Sequence, residues 1–333
     1  MTPIKECLIN RRTNLNPIWL MRQAGRYLPE FREIRKSNTN FIDLCLNPKL
    51  SEEITIQPID RFNFDAAIIF SDILMIPYAL GQNVEFKKNF GPNLGNVDLD
   101  KLSEINEDIF TERLSPIYKL LASLSKNNKL KNKDLIGFVG APWTLLVYMI
   151  NKVSPKNGLS EYFFSNKMLI DKLLKIIEKF SKIHIKNQVK SGATLIQIFD
   201  SWASLITGDF DKYLYNPTLS LVNYTKKLGV PVICFPRGIS NYSEFCKIVS
   251  PSMINIDYNI DPKKLIENIQ IPIQGGLDPK VLLSDKENLQ KEVTKYLEIF
   301  RNHPYVFNLG HGILPETKIE MVDELVKIVR DFK

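Results

Sequence analysis

The sequence predicts an α/β fold, a single (β/α)8 barrel domain over residues 1–333, and three observations carry that expectation. Eight short apolar runs recur along the chain, each closed by a polar or small residue. Stretches with apolar spacing near the helical 3.6 lie between several of them. No Gly/Ser linker, repeat or low-complexity tract divides the 333 residues. A doubly wound sheet would use the same alternation, but the chain lacks the Gly-x-Gly-x-x-Gly turn of its dinucleotide-binding form.

Taken in order, the runs are PIWLM (17–21) before Arg22, AAIIF (66–70) before Ser71-Asp72, LIGFV (135–139) before Gly140, and TLIQIF (194–199) before Asp200-Ser201. PVICF (231–235) then precedes Pro236-Arg237, MINI (253–256) precedes Asp257, IPIQ (271–274) precedes Gly275-Gly276, and YVFNL (305–309) precedes Gly310-His311. Runs this short, rich in Ile, Val and Phe and apolar on both faces, suit buried parallel strands. Residues 171–192 read as a helix ending at a C-capping Gly192. Residues 315–332 read as a second, with Pro315 at its first position and acidic residues early. In a barrel of this kind the strand C-termini face one cavity, which would gather Arg22, Asp72, Ser201, Arg237, Asp257 and His311.

Composition narrows the function. Lys and Arg number 44 against 37 acidic residues, a net charge of +7. The excess is spread along the chain beside abundant Asn and Ile, and no RNP1, zinc-finger or basic-region pattern accompanies it, so no nucleic-acid partner is expected. Lys126 to Asp134, the densest basic stretch, reads as a solvated loop. Four cysteines without a CxxC pair and three histidines argue for free thiols and against a metal site. Charges at Lys5, Glu6, Arg11 and Arg12 interrupt any apolar leader, and the uncharged run 135–150 is short for a membrane span and contains Gly and Pro. A soluble, cytoplasmic protein is expected.

Individual residues sharpen this. Asp72 stands among apolar neighbours, where a carboxylate is costly unless it meets a cation or donors; a helix cap is the plainer alternative. Arg22 and Arg26 flank a Gln23-Ala24-Gly25 turn, in which Gly25 allows close backbone approach and exposes the Gln23 amide. Two guanidinium forks there make a clamp for carboxylate or phosphate, whereas surface pairing with Glu30 and Glu33 accounts for Arg32 and Arg35. Tyr148 lies on an apolar helix beginning near Pro142, and core packing explains it equally well. His311 lies between two glycines just after a strand, an exposed setting; His184 and His303 look unremarkable.

Together these stretches resemble the uroporphyrinogen decarboxylase family. MRQAGRYLPEFR occurs unbroken from Met21 to Arg32. FSDIL (70–74), GAPWTL followed by YM (140–149), FDSWA (199–203), QGGLDP (274–279) and NLGHGI (308–313) follow in the family's order. The resemblance implies a (β/α)8 homodimeric enzyme, without cofactor or metal, that converts the four acetate side chains of uroporphyrinogen III to methyls and yields coproporphyrinogen III and CO2. It implies substrate contacts by Arg22, Gln23, Ala24, Gly25, Arg26, Asp72, Tyr148, Ser201 and His311. Arg22, Arg26 and His311 would hold carboxylates and Asp72 would face the pyrrole N–H groups; Asp72 and Arg22 are the catalytic candidates. Arg22, a water or a substrate carboxylate could donate the proton. Three places depart from the family pattern: Ser204 stands for a usual Gly, residues 150–158 lack the Glu-Gly-Gly after YM, and Gly276 replaces a frequent Asn. The competing readings are a zinc-dependent corrinoid or thiol methyltransferase, whose His-x-Cys pair is missing here, and a non-catalytic tetrapyrrole-binding barrel.

Overall fold

A computed structural model describes the chain except residues 12, 13, 15, 88–90, 161, 162, 164 and 166, so Arg12 lies outside the described residues. Among the described residues nine strands follow in chain order: β1 (Ala66–Ile68), β2 (Val84–Lys87), β3 (Gly91–Leu94), β4 (Asp134–Gly140), β5 (Leu195–Asp200), β6 (Val232–Pro236), β7 (Met253–Ile256), β8 (Ile273–Gly275) and β9 (Tyr305–Val306). Seven form one curled parallel sheet in the order β1-β4-β5-β6-β7-β8-β9, and β2 with β3 makes a separate antiparallel hairpin. Parallel neighbours require crossovers. Helices Pro142–Asn151, Lys167–Lys190, Asn216–Lys227, Tyr242–Val249 and Lys286–Phe300 are among those lying between successive sheet strands. Covered in this way, β4, β6 and β7 are buried at every position. Among the described residues no helix is long and apolar enough to cross a membrane.

Seven of the eight expected strands therefore form. The first run, 17–21, contributes an isolated parallel bridge, Ile18 to Phe307, rather than a strand. It lies between the two ends of the sheet. Phe307 N donates to Pro17 O at 2.8 Å and Trp19 N to Phe307 O at 3.4 Å, while Asp65 N donates to Ile18 O at 2.9 Å. Side chains take the other ladder positions. Ile18 N donates to Asp65 Oδ2 at 2.7 Å, a carboxylate also held by Arg330 at 2.8 Å. Gln23 accepts from Leu20 N at 3.1 Å and donates to Ala66 O at 3.0 Å. Pro17, without an N–H, adds no donor.

The helices differ from expectation at their ends. The long helix runs Lys167–Lys190, leaving Gly192 at φ +111 in the turn beyond it. The last runs Ile319–Asp331, so Pro315 precedes it: Thr317 N donates to Leu314 O in a separate turn that buries Thr317. The 126–134 stretch is not wholly loop, since Asn128–Leu130 forms a 3-10 turn and Asp134 opens β4.

Candidate active site

Arg22 begins the site with a backbone at φ +61, a left-handed conformation that costs a residue with a side chain roughly 1 kcal/mol or more. The neighbourhood is built to hold it there. Gln23 N donates to Leu20 O at 2.9 Å, Leu28 N to Gly25 O at 3.0 Å, and Tyr27 Oη to Gln23 O at 2.7 Å. A Cβ on Gly25 would lie 2.9 Å from Arg22 O, so the turn requires glycine. Arg32 donates to Arg26 O and Tyr27 O, both at 2.9 Å, buttressing the turn from outside.

The Arg22 side chain is exposed, yet protein surrounds it on most sides, as for a group standing in a concavity. Desolvation lowers its pKa; Asp72 and Tyr148 favour the cation, while Arg26 and Arg237 disfavour it. Those groups and His311 lie within electrostatic reach of one another around the Arg22 side chain, which marks the candidate cleft. Asp72 is half-buried after β1, and its Oδ1 accepts from Leu74 N at 2.8 Å, so a cap-like turn and a cleft-facing acid coexist. Desolvation raises its pKa to about 6, against the Leu74 N–H and the Arg22 charge, which lower it. Tyr148 is buried at the end of helix Pro142–Asn151, its ring edge to Trp202 at 6.0 Å between centroids. Burial raises its pKa, opposed by contacts with Ser154 and Trp202.

Ser201 is half-buried just past β5, in a turn fixed by a neighbour that sequence reading missed. Thr144 Oγ1 donates to Asp200 Oδ1 at 2.6 Å and accepts from Trp202 N at 3.1 Å. Thr144 stands one helical turn before Tyr148, so this hydroxyl stitches the Tyr148 helix to the Ser201 turn. Asp200 is buried, and desolvation raises its pKa to about 7.

Several expectations are corrected. Gln23 is fully buried and its amide is spent on Leu20 and Ala66, so it offers no side-chain contact to a ligand; Ala24 and Gly25 are half-buried and Arg26 exposed. His311 is not a cation. Desolvation, then Arg22 and Arg237, push its pKa down to about 4, and it is neutral near pH 7. Asp257 is structural: Gly238 N at 2.7 Å, Tyr242 Oη at 3.0 Å and Asn259 N at 3.0 Å occupy it. It thereby fixes the turn carrying Arg237, which does belong with the cleft. Glu30 pairs with Arg61 and Glu33 with Lys36, leaving Arg35 half-buried over the Phe41 ring at 5.4 Å. Among the described residues, none of Arg22, Arg26 and Arg237 makes an ion pair.

The three departures from the family pattern each have a defined local setting. Lys152 takes the left-handed helix end at φ +66 that a glycine would adopt without strain. Gly276 sits at φ +102, and Ser204 packs against Gly238, whose Cβ would meet that of Ser204 at 2.9 Å.

A family model described as Uroporphyrinogen decarboxylase (URO-D) matches residues 2–332. The uroporphyrinogen decarboxylase of Rickettsia bellii is 40% identical over 332 residues, 98% of this chain and 97% of its own. That of Rickettsia africae is 39% identical over 329 residues, 95% and 93% of the two chains. Among solved structures, a methyltransferase from Methanosarcina mazei superposes with a TM-score of 0.79 at 16% identity, covering 99% and 98% of the chains, a likeness of fold alone. With the family model spanning nearly the whole sequence and relatives near 40% identity along their full length, this chain belongs to the uroporphyrinogen decarboxylase family.

Proposed function

We propose that Arg22, Gln23, Ala24, Gly25, Arg26, Asp72, Tyr148, Ser201 and His311 form the substrate site of this decarboxylase, Asp72 and Arg22 being its catalytic pair. The family activity is decarboxylation of uroporphyrinogen in porphyrin biosynthesis. Its substrate, a flexible tetrapyrrole with eight carboxylates, suits a cleft whose arginines make no ion pair among the described residues. Gln23 and Ala24 would act through the backbone of their turn, and His311 as a neutral hydrogen-bonding ring beside Arg22.

The observation carrying the catalytic reading is Asp72: a carboxylate in the cleft, with one oxygen turned to its own backbone and no ion pair to neutralise it. At pH 7 it is largely ionised, and it would accept the pyrrole N–H groups at the centre of the folded macrocycle. Protonating a ring carbon beside an acetate-bearing position makes that pyrrole a cation, which the fixed negative charge stabilises. The bond to the carboxylate carbon then breaks and CO2 leaves. The electron pair neutralises the ring, and protonation of the exocyclic carbon with loss of the ring proton completes the methyl group. Tyr148 and Ser201 would hydrogen-bond a substrate carboxylate or Asp72.

The hydrogen bonds of residues 17–19 to both ends of the seven-stranded sheet support a closed eight-membered barrel, with this segment as its eighth member. The family resemblance also supports a cytoplasmic homodimer, which sedimentation would test. The activity is tested by supplying uroporphyrinogen III anaerobically under reducing conditions. Coproporphyrinogen III is expected, by way of partly decarboxylated intermediates; well-folded protein that consumes no substrate would overturn the assignment.

A further inference from the structure

The peptide at Met21 and Arg22 is gripped by the loop that follows β9. Met21 N donates to the buried Asn308 Oδ1 at 3.0 Å, and Ile313 N donates to Met21 O at 2.9 Å. Between these two anchors lies Gly312. A Cβ built there would stand 2.3 Å from Arg22 Cδ, 2.7 Å from Cγ and 2.9 Å from Nε. Non-bonded carbons rest at about 3.5–4.0 Å, so any side chain at 312 takes the space of the Arg22 stem.

Gly312's own backbone does not ask for glycine, because its φ lies outside the left-handed region. Gly310, two residues earlier, is different. Its Cβ would strike the Tyr258 backbone N at 2.4 Å, so glycine there serves the fold. Arg22 has little freedom to adapt from its side, being held at φ +61 with the preceding peptide bonded on both edges. Only its side-chain torsions can yield.

We infer that Gly312 is a positioning residue for the decarboxylation: the missing side chain at 312 fixes the path of the Arg22 stem, and so the depth at which the guanidinium meets the substrate. This rests on Arg22 contacting substrate, as proposed above. A misplacement of about 1 Å at such a group can lower catalysis as much as 100-fold.

The test compares Gly312→Ala, Arg22→Ala, the double variant and Gly310→Ala, with kcat and KM on uroporphyrinogen III, thermal unfolding, and NMR titration of the three histidines. Expected for Gly312→Ala is a loss of about 10- to 100-fold in kcat/KM with an unchanged unfolding midpoint, while Gly310→Ala unfolds earlier. Adding Gly312→Ala to Arg22→Ala should bring less than about a twofold further loss, as for two changes acting through one group. The His311 midpoint, lowered by burial and then by Arg22 and raised by its bond to the Gly312 backbone, should move in Gly312→Ala and move less when Gly312→Ala is added to Arg22→Ala, while His184 and His303 stay put. The inference is overturned by unimpaired Gly312→Ala, by equal losses in both backgrounds, by an unmoved His311, or by destabilisation matching Gly310→Ala. Wild-type kinetics in Arg22→Ala would overturn the role of Arg22 itself; a crippled Arg22→Ala beside a normal Gly312→Ala overturns only the inference.

Discussion

Asp72→Asn should make the protein more stable and nearly inactive. An aspartate whose pKa stands at about 6 instead of the ordinary 3.8 is less comfortable ionised in the fold than in the unfolded chain, by about 3 kcal/mol above pH 6. Asparagine has the same shape, and its amide oxygen can still accept the Leu74 N–H now found at 2.8 Å. Solvent in the open cleft and loss of attraction to Arg22 reduce the net gain to about 1–2 kcal/mol. For a chain this long that raises the unfolding midpoint by about 2 °C. The pH dependence carries the sign. With the folded pKa raised, the carboxyl's contribution is fully present below about pH 3.8 and is lost as pH rises through about 6. Urea unfolding of both proteins from pH 4 to 8 should thus show little difference at the acid end and a gap favouring the variant that opens between pH 4 and 6. Turnover should fall by about 100- to 1000-fold, the usual loss when a fixed charge facing a developing opposite charge is removed. A wild type more stable than the variant at pH 7.5 would mean that Asp72 is satisfied in the free enzyme and that the electrostatic reasoning is wrong.

Other perturbations follow from the same geometry. In its proposed role Asp72 acts ionised, and burial raises its pKa to about 6, so kcat/KM should fall about tenfold per pH unit below that value; a flat profile from pH 5 to 7.5 would contradict it. Thr144→Val leaves Asp200 Oδ1 and Trp202 N without their bonds and should cost about 2–4 kcal/mol in urea unfolding, along with turnover, whereas Thr144→Ser should keep both. Gln23→Leu orphans Leu20 N and Ala66 O, costing about 2–4 kcal/mol. Because that side chain does not face the cleft, KM should change far less than stability.

What the sequence revealed and what it concealed have physical causes. Seven strands were legible because a parallel strand covered on both faces must be apolar throughout, as in the fully buried β4 and β7. The first run reads identically, yet the side chains of Asp65 and Gln23 replace backbone partners beside it, which no hydrophobic pattern encodes. The β2–β3 hairpin went unseen although Val84-Glu85-Phe86-Lys87 alternates apolar and charged residues, because four residues are too few to establish a period and the partner strand, GPNL, carries glycine and proline. At the candidate site, Arg22, Asp72, Tyr148 and His311 stood out as polar groups at strand ends or on apolar elements, and Asp72, Tyr148 and His311 all lie within electrostatic reach of Arg22. Their states did not stand out. Burial, and then two arginines distant in sequence, push the His311 pKa down to about 4, and Asp257 left the candidates because Gly238 and Tyr242 occupy its carboxylate. Thr144 and Gly312 matter only through their neighbours, so a reading residue by residue passes them over.

The free cleft is electrostatically unfinished, and that condition explains its composition. Arg22 suffers desolvation and the repulsion of Arg26 and Arg237, and Asp72 is the carboxylate nearest to offsetting this. Had the fold sought stability alone, an ion pair or an apolar side chain would serve better at each place. Instead the arginines make no ion pair among the described residues, one of them stands on a strained backbone, and Asp72 acts on Arg22 from beyond contact. A simple anion would relieve the arginines but be repelled by Asp72. A simple cation would relieve Asp72 and be repelled by the rest. Only a ligand with carboxylates on its periphery and hydrogen-bond donors at its centre satisfies both, and a uroporphyrinogen has that distribution. On the proposed site, the separation of one fixed anion from several cations without ion pairs would act as a selection rule for the substrate, and the same anion would favour the positive charge that develops on the pyrrole once the substrate is bound.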